Sequence, residues 1–272
     1  MNRRMMLFGV ALMLSAACGD DTTGPVIQGR AVYTVDDQNN MTVSGGESPS
    51  RPARQMTVSG MAAGEALIGI DFNAMDRQLY GVTNASRIYA IDTISGQATL
   101  VGAGPFGGAV SGTYFGLDFN PAVNRLRMHG DVGTNLRLNQ LTGVLAATDA
   151  ALSFAAGDAN AGATANIVGT AYTNNVAGAT STVLFAIDSD IDVLVRLDNP
   201  NDGVMTTVGP LGVNTSDFVG FDIAADGTAY ASLTASGAAR STLYAVNTTT
   251  GAATAIGVLA SGRAVVGLAV EP

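Results

Sequence analysis

The chain has 272 residues, of which 34 are glycine and 13% are charged, and its formal net charge is −9. All 13 basic residues are arginines, so Schiff-base and phosphate-loop lysine chemistry are excluded, and the acidic balance argues against a nucleic-acid partner. With only Glu47, Glu65 and Glu271 as glutamates, this Gly-, Ala-, Thr- and Asn-rich composition suits short strands and tight turns better than helices.

Met1 to Arg4 form a positive start, Met5 to Ala17 are mainly apolar, and Ser15-Ala16-Ala17 supply small residues before Cys18. The pattern predicts a cleaved secretory signal over residues 1–17. It resembles a bacterial lipobox, in which the cysteine thiol takes a diacylglycerol and becomes the new N-terminus, although Leu14 lies four residues before Cys18 where three is commoner. The plainer alternative is an ordinary signal with an incidental cysteine. Because Cys18 is the only cysteine, no intrachain disulfide can form. Removing residues 1–17 leaves 11 arginines against 22 acids, a net of −11, which disfavours docking on anionic lipid and leaves a covalent anchor as the route to a membrane. The expected partner is thus a membrane held through Cys18, with the protein exported to the bacterial cell envelope, at the outer membrane or cell surface. Residues 18–29 read as a polar tether and 30–272 as a single domain.

Along the domain, three strand patterns come first, AVYTVDD, NMTVSGG and RQMTVSG between Ala31 and Gly60, with Ser48 to Ala53 (SPSRPA) read as a flexible hairpin insertion. A short apolar strand with glycine at its third position then recurs five times, as LIGIDF, YFGLDF, IVGTAY, FVGFDI and VVGLAV. Gly69, Gly116, Gly169, Gly220 and Gly267 are spaced by 47, 53, 51 and 47 residues. After each of the first four copies come further strand patterns separated by turns such as TISG and TTTG, so each repeat reads as four antiparallel strands. Four-stranded units in series predict an all-β fold, a β-propeller. The last copy, Val265 to Val270, is an innermost strand without a blade, and the first three strands are a blade without an innermost strand. Pairing them closes a ring of five blades and leaves no open sheet edge at the seam.

The repeated glycine lets neighbouring innermost strands crowd round a narrow channel. Asp71, Asp118 and Asp222 follow it by two residues in three copies, Ala171 and Ala269 in the other two. They read either as a ring of carboxylates around a cation, calcium being the candidate, or as groups bonding backbone amides in the adjoining turns. No other cofactor is expected.

The second copy carries an unusual polar set, Arg125, Arg127, Asn135, Arg137 and Asn139, followed by Asp158, Asn160, Tyr172 and Asn174. The 53-residue spacing marks Ala155 to Asn166 as an insertion, and insertions at one end of a propeller shape its binding face. Arginine forks, amides and an aromatic suit a carboxylated or hydroxylated ligand such as a glycan; the competing reading is an Arg–Asp network pinning a long loop. His129 is the only histidine, so Ser-His-Asp or Cys-His catalysis would have to run through it alone, no G-x-S-x-G elbow accompanies it, and zinc lacks its several His or Cys ligands; it reads as a strand residue with a satisfied hydrogen bond.

From Leu67 onward the chain resembles the bacterial family called domain of unknown function 4394. The residues that carry this are GIDFNAMDRQLYGVTNASRIYAIDTISGQATLVG, GLDFNPAVNRLRMHGDVGTNLRLN, FAAGDANAGATANIVGTAYTNN and GFDIAADGTAYASL. The resemblance implies an extracytoplasmic, propeller-like domain and brings no catalytic residues. The functional expectation is a non-enzymatic module that binds a protein or polysaccharide at the envelope, through the face near Arg127, Arg137 and Asp158. A carbohydrate-active hydrolase using an Asp/Glu pair and a purely structural envelope protein are the alternatives.

Overall fold

The computed structural model describes residues 26–107 and 110–272. Cys18, the signal segment 1–17 and the first part of the tether lie outside the described residues. In chain order the strands are β1 (Ala31–Asp36), β2 (Asn40–Gly45) and β3 (Ser48–Thr57); β4 (Leu67–Phe72), β5 (Leu79–Thr83), β6 (Ile88–Ile91) and β7 (Ala98–Leu100). Then come β8 (Phe115–Asn120), β9 (Arg125–Gly130), β10 (Asn135–Asn139), β11 (Val144–Thr148) and the short β12 (Ser153–Phe154). The fourth group is β13 (Ile167–Tyr172), β14 (Leu184–Asp188), β15 (Val193–Leu197) and β16 (Val204–Pro210). The last is β17 (Thr215–Ile223), β18 (Ala229–Ala235), β19 (Thr242–Val246), β20 (Ala253–Val258) and finally β21 (Val265–Val270).

These strands form five sheets, each a blade of a β-propeller built on four antiparallel strands. The seam closes as the sequence predicts, since β21 pairs antiparallel with β1 (Val32 opposite Val270, Val35 opposite Gly267) and completes the first blade in the order β21-β1-β2-β3. Hairpins set the registers. In the outer turns after Asp92 and Asn247, the side-chain oxygen accepts amides two and three residues on, and Gly96 (φ +74°) and Gly251 (φ +81°) take the left-handed conformation that returns the chain.

Two details differ from the sequence reading. Ser48 to Ala53 is not a hairpin insertion but the start of β3, with Gly45 opposite Ser48 and Ser44 opposite Pro52, so that three extra residues bulge from the strand. Pro49 and Pro52 cannot donate to a ladder, which is tolerated because β3 is an outermost strand. The fourth blade has a fifth strand, because β12 from the insertion adds parallel to β16.

The core is divided among the gaps between blades. Apolar layers fill four of them, with Tyr33, Met41, Ile70 and Leu79 between the first two blades, and Tyr80, Phe119, Leu126 and Met128 between the next two. Ile187, Phe221 and Leu233 fill the gap between the fourth and fifth blades, and Val32, Leu243 and Leu268 the gap at the seam. The third-to-fourth gap is different. There β9 alternates Leu126 and Met128 toward the second blade with Arg127 and His129 toward the fourth, and the linking segment supplies Leu152, Phe154 and Ala165 as the apolar filling.

The innermost strands approach so closely that a side chain would not fit at the recurrent glycine. A Cβ at Gly116 would lie 2.5 Å from the amide nitrogen of Thr170, and one at Gly220 would lie 2.6 Å from that of Leu268. Both clashes are with backbone of the next blade, which gives the repeat its physical reason.

Candidate functional site

The arginines predicted from sequence converge, but inward. Arg127 and Arg137 are direct partners across β9 and β10. Both reach Asp149, which follows β11. Arg137 binds it in a fork (Nε to Oδ2 2.8 Å, Nη2 to Oδ1 2.8 Å), and Arg127 donates from Nη1 to Oδ2 at 2.9 Å. Arg127 also donates to Tyr172 Oη (2.9 Å), to Asn201 Oδ1 (2.7 Å) and to Asn135 Oδ1, and Asn135 passes its own amide protons to the carbonyls of Ala150 (2.9 Å) and Pro200 (2.8 Å). Burial pushes the Asp149 carboxyl up, but the hydrogen bonds from Arg137 and Arg127 outweigh it and hold it below the usual carboxylate range. Arg125 joins Arg127, Arg137 and Asn201 in the wall of an open cleft of about 350 Å³.

The other predicted residues stand apart from this cluster. Asp158 accepts from the Thr207 amide (2.7 Å), the Thr207 hydroxyl (2.6 Å) and the Asn160 amide (2.9 Å), while Asn160 donates to the same hydroxyl (2.9 Å). These bonds latch the insertion onto β16. Asn174 donates to the Ser181 carbonyl at 3.0 Å and closes the loop between β13 and β14. His129 is fully buried; its Nδ1 meets the Thr170 hydroxyl at 3.0 Å, whereas Nε2 has no partner, so only half of its hydrogen bonding is satisfied.

The three aspartates are brought together. Asp71, Asp118 and Asp222 are fully buried, and one carboxylate oxygen from each lies within 4.8 Å of the others. They bond backbone amides, chiefly those of the next strand, and Asp222 also takes Ile223 N–H where its own strand ends (2.6 Å). Asp71 accepts from Phe119 N–H at 2.7 Å and Asp222 from Val270 N–H at 2.6 Å; each of these amides belongs to the next innermost strand round the ring, three residues after its glycine. Burial raises all three carboxyls, with Asp222 pushed up to about 6, and the neighbouring carboxylates raise Asp71 and Asp118 further.

A feature the sequence reading missed lies at the channel mouth, where the innermost strands begin. Its pocket, about 380 Å³, has walls of Ile68, Tyr114, Phe115, Phe218 and Val266 and polar groups from Asp37, Asn84, Thr113 and Asp217. The Tyr114 and Phe218 rings, both half-buried, meet edge-on with centroids 5.2 Å apart. Asp217 and Phe218 reach the pocket because β17 is bulged, with Thr215 opposite Ala235 but Val219 already opposite Leu233. Asp37 is held by Arg263 in a fork (2.8 and 3.0 Å), and Asp217 accepts from Ser189 (2.7 Å) and Asn166 (3.1 Å). Burial raises the Tyr114 hydroxyl, and the charges of Asp217, Asp131 and Asp37 add to the rise. The signal was present in the sequence, since the residue two before the ring glycine is aromatic in these two copies and aliphatic in the others.

Solved structures share the architecture. A protein of unknown function from Bacteroides caccae matches with a TM-score of 0.52 and 11% identity over 89% of this chain and 99% of that one. Another of unknown function from Bacteroides thetaiotaomicron matches with 0.55 and 12% identity over 85% of this chain and 56% of that one. Glutaminyl cyclase from Myxococcus xanthus follows at a TM-score of 0.49 and 11% identity, covering 76% of this chain and 82% of its own. At such identities the likeness concerns the fold alone. No curated protein matches the chain. The model of the family described as domain of unknown function (DUF4394) matches residues 40–269, and the chain belongs to that family.

Proposed function

We propose that this chain is a lipid-anchored, non-catalytic propeller of the bacterial cell envelope that binds a polysaccharide, neutral or built on amino sugars, at the channel mouth. The observation that carries the reading is the pocket of about 380 Å³ walled by the Tyr114 and Phe218 rings and rimmed by carboxylate and amide acceptors. Aromatic rings offer flat apolar faces to the C–H side of a sugar, and carboxylate and amide oxygens accept its hydroxyl or ammonium protons. Three carboxylates near Tyr114 disfavour an acidic polymer. The rim carboxylates are already engaged, Asp37 by Arg263 and Asp217 by Ser189 and Asn166, which suits holding a ligand better than moving protons. In this reading Arg127 joins the third and fourth blades, Arg137 shares its counter-ion Asp149, and the envelope location follows from the Cys18 lipobox.

Calorimetric titration of the mature protein with fractionated envelope polysaccharides tests the pocket. Tyr114→Ala and Phe218→Ala are expected to weaken binding about tenfold each, the equivalent of about 1.4 kcal/mol, beyond a fall in Tm from the packing that both rings provide. Binding unaffected by both variants would reject the site. Turnover of glycosides that disappeared in Asp217→Asn would replace the module with a hydrolase. The anchor is tested separately by labelling with a clickable palmitate, which Cys18→Ala is expected to abolish as it releases the protein from membranes.

A further inference from the structure

The strongest unassigned feature is the group of three aspartates at the centre of the ring. Because side chains two apart share a strand face, Asp71, Asp118 and Asp222 lean, like their ring glycines, toward the next innermost strand, and there one oxygen of each lies within 4.8 Å of the others. The other two positions of that tier are Ala171 and Ala269, which bring no charge to it. One oxygen of Asp71 and one of Asp222 are taken by amides of the next blade, and the second Asp222 oxygen accepts from Ile223 N–H at 2.6 Å. Three oxygens make no hydrogen bond of close geometry, Asp71 Oδ1, Asp118 Oδ1 and Asp118 Oδ2, although the Tyr172 N–H and the Asp222 carboxyl lie near Asp118.

Asp118 is the telling residue. It is 0% exposed, and neither of its oxygens has a close hydrogen-bond partner, while two further carboxylates stand beside it. Buried charge is costly without a partner, yet none of the arginine ion pairs among the described residues involves these aspartates, and the sequence holds no lysine. A dipositive ion would supply both the missing charge and the missing partner.

We infer that Asp71, Asp118 and Asp222 bind one hard divalent cation, calcium by preference, among the innermost strands of the propeller. An all-oxygen donor set favours calcium, magnesium or manganese over zinc or copper. Oxygens within 4.8 Å of one another can be bridged by calcium, whose ligands sit about 2.3–2.6 Å away, with small side-chain adjustment. The carboxylates offer up to six oxygens, and water can complete the shell. A void of about 10 Å³, room for one water, lies at the level of the ring glycines and shares Phe115, Val219 and Val266 with the walls of the mouth pocket. The inference is independent of what the mouth pocket binds.

The test uses the full-length exported protein, unfolded, treated with chelator, and refolded with or without millimolar calcium chloride. Metal content after desalting is read by mass spectrometry, and Tm by calorimetry. One calcium per chain with a Tm several degrees above the chelated protein is expected, with magnesium and manganese giving smaller shifts. Asp118→Asn, which keeps the shape and removes the charge, is expected to lose the ion and the calcium-dependent rise together. The site is overturned if wild-type protein retains none of the three ions and shows no Tm response, a result that needs no variant to fold. Ion content unchanged in Asp118→Asn would equally remove Asp118 from the site.

Discussion

Arg127 of the third blade donates its Nε proton to the hydroxyl of Tyr172 in the fourth at 2.9 Å, so the one polar gap between blades is bridged by a cation and a phenol. Arg127 is only 3% exposed and also serves Asp149, Asn135 and Asn201. Removing it strands Asp149, itself 7% exposed, with Arg137 as its remaining counter-ion. Arg127→Ala is expected to cost about 3–5 kcal/mol in urea unfolding. Tyr172→Phe, which loses one bond to a charged donor, should cost about 1.5–3 kcal/mol. Arg137→Ala, at a position a third exposed, should cost about 1 kcal/mol or less. A ranking in which Arg137 outweighed Arg127 would show that the buried guanidinium is not the keystone of the gap.

The ring glycines give a second prediction. Gly220→Ala would push a methyl to 2.6 Å from the backbone nitrogen of Leu268, an atom that cannot turn away as a side chain does. Overpacking of this kind costs about 1–3 kcal/mol. Gly157→Ala, in the exposed insertion with nothing within 4 Å of the added carbon, is the control and should be near neutral. Equal Tm values for the two variants would mean that the innermost strands are less tightly apposed than they are here.

The ring was legible in the sequence because two short-range signals coincide in every blade, a glycine that only close packing requires and turn residues that fix each hairpin. The seam was legible for a related reason, since Val265 to Val270 repeats the innermost strand with no blade to follow it. The candidate sites were less legible. Arg127, Arg137 and Tyr172 stood out by residue type, but their partners Asp149 and Asn201 lie 22 and 74 residues from Arg127, and no periodicity points to them. Asp158 and Asn160 looked like members of the same set and instead fasten their own loop to Thr207. The mouth pocket needed the bulge in β17 to turn Phe218 toward Tyr114, and a bulge leaves no mark in hydrophobic alternation.

His129 sets a pH dependence with a definite sign. Burial first, and then the charge of Arg127, push its pKa down to about 3, while Asn135 and Asp149 pull the other way; Thr170 faces its Nδ1. The folded protein holds the ring neutral where the unfolded chain, with a value near 6.5, would take a proton. The stability due to this group is therefore complete above pH about 6.5 and is lost as the pH falls toward about 3, by up to about 1.4 kcal/mol per pH unit. In protein free of metal, the raised carboxyls of the aspartate group act in the opposite direction, since they favour the folded state as protons bind. Comparing wild type with His129→Gln cancels that common contribution. Between pH 6.5 and 5 the variant should show the flatter fall in unfolding free energy, and parallel curves would mean that the folded protein takes up the proton.

Closure by β21 makes the last prediction. Val270 sits opposite Val32 and also donates its amide to Asp222, so a single residue ties the first blade to the fifth. Deleting residues 265–272 would uncover the free edge of β1, with its buried Val32, Tyr33 and Val35, and would expose the face of the fifth blade that Leu268 covers. An exposed apolar edge recruits other chains, so the truncated protein is expected to bind a hydrophobic dye, aggregate on concentration and lose its cooperative unfolding transition. A synthetic peptide of residues 263–272, supplied during refolding, should restore part of the transition by adding itself as the missing strand. If instead the truncated chain stayed monomeric with an unchanged Tm, the velcro between the chain's two ends would be dispensable and the other four gaps sufficient to hold the ring.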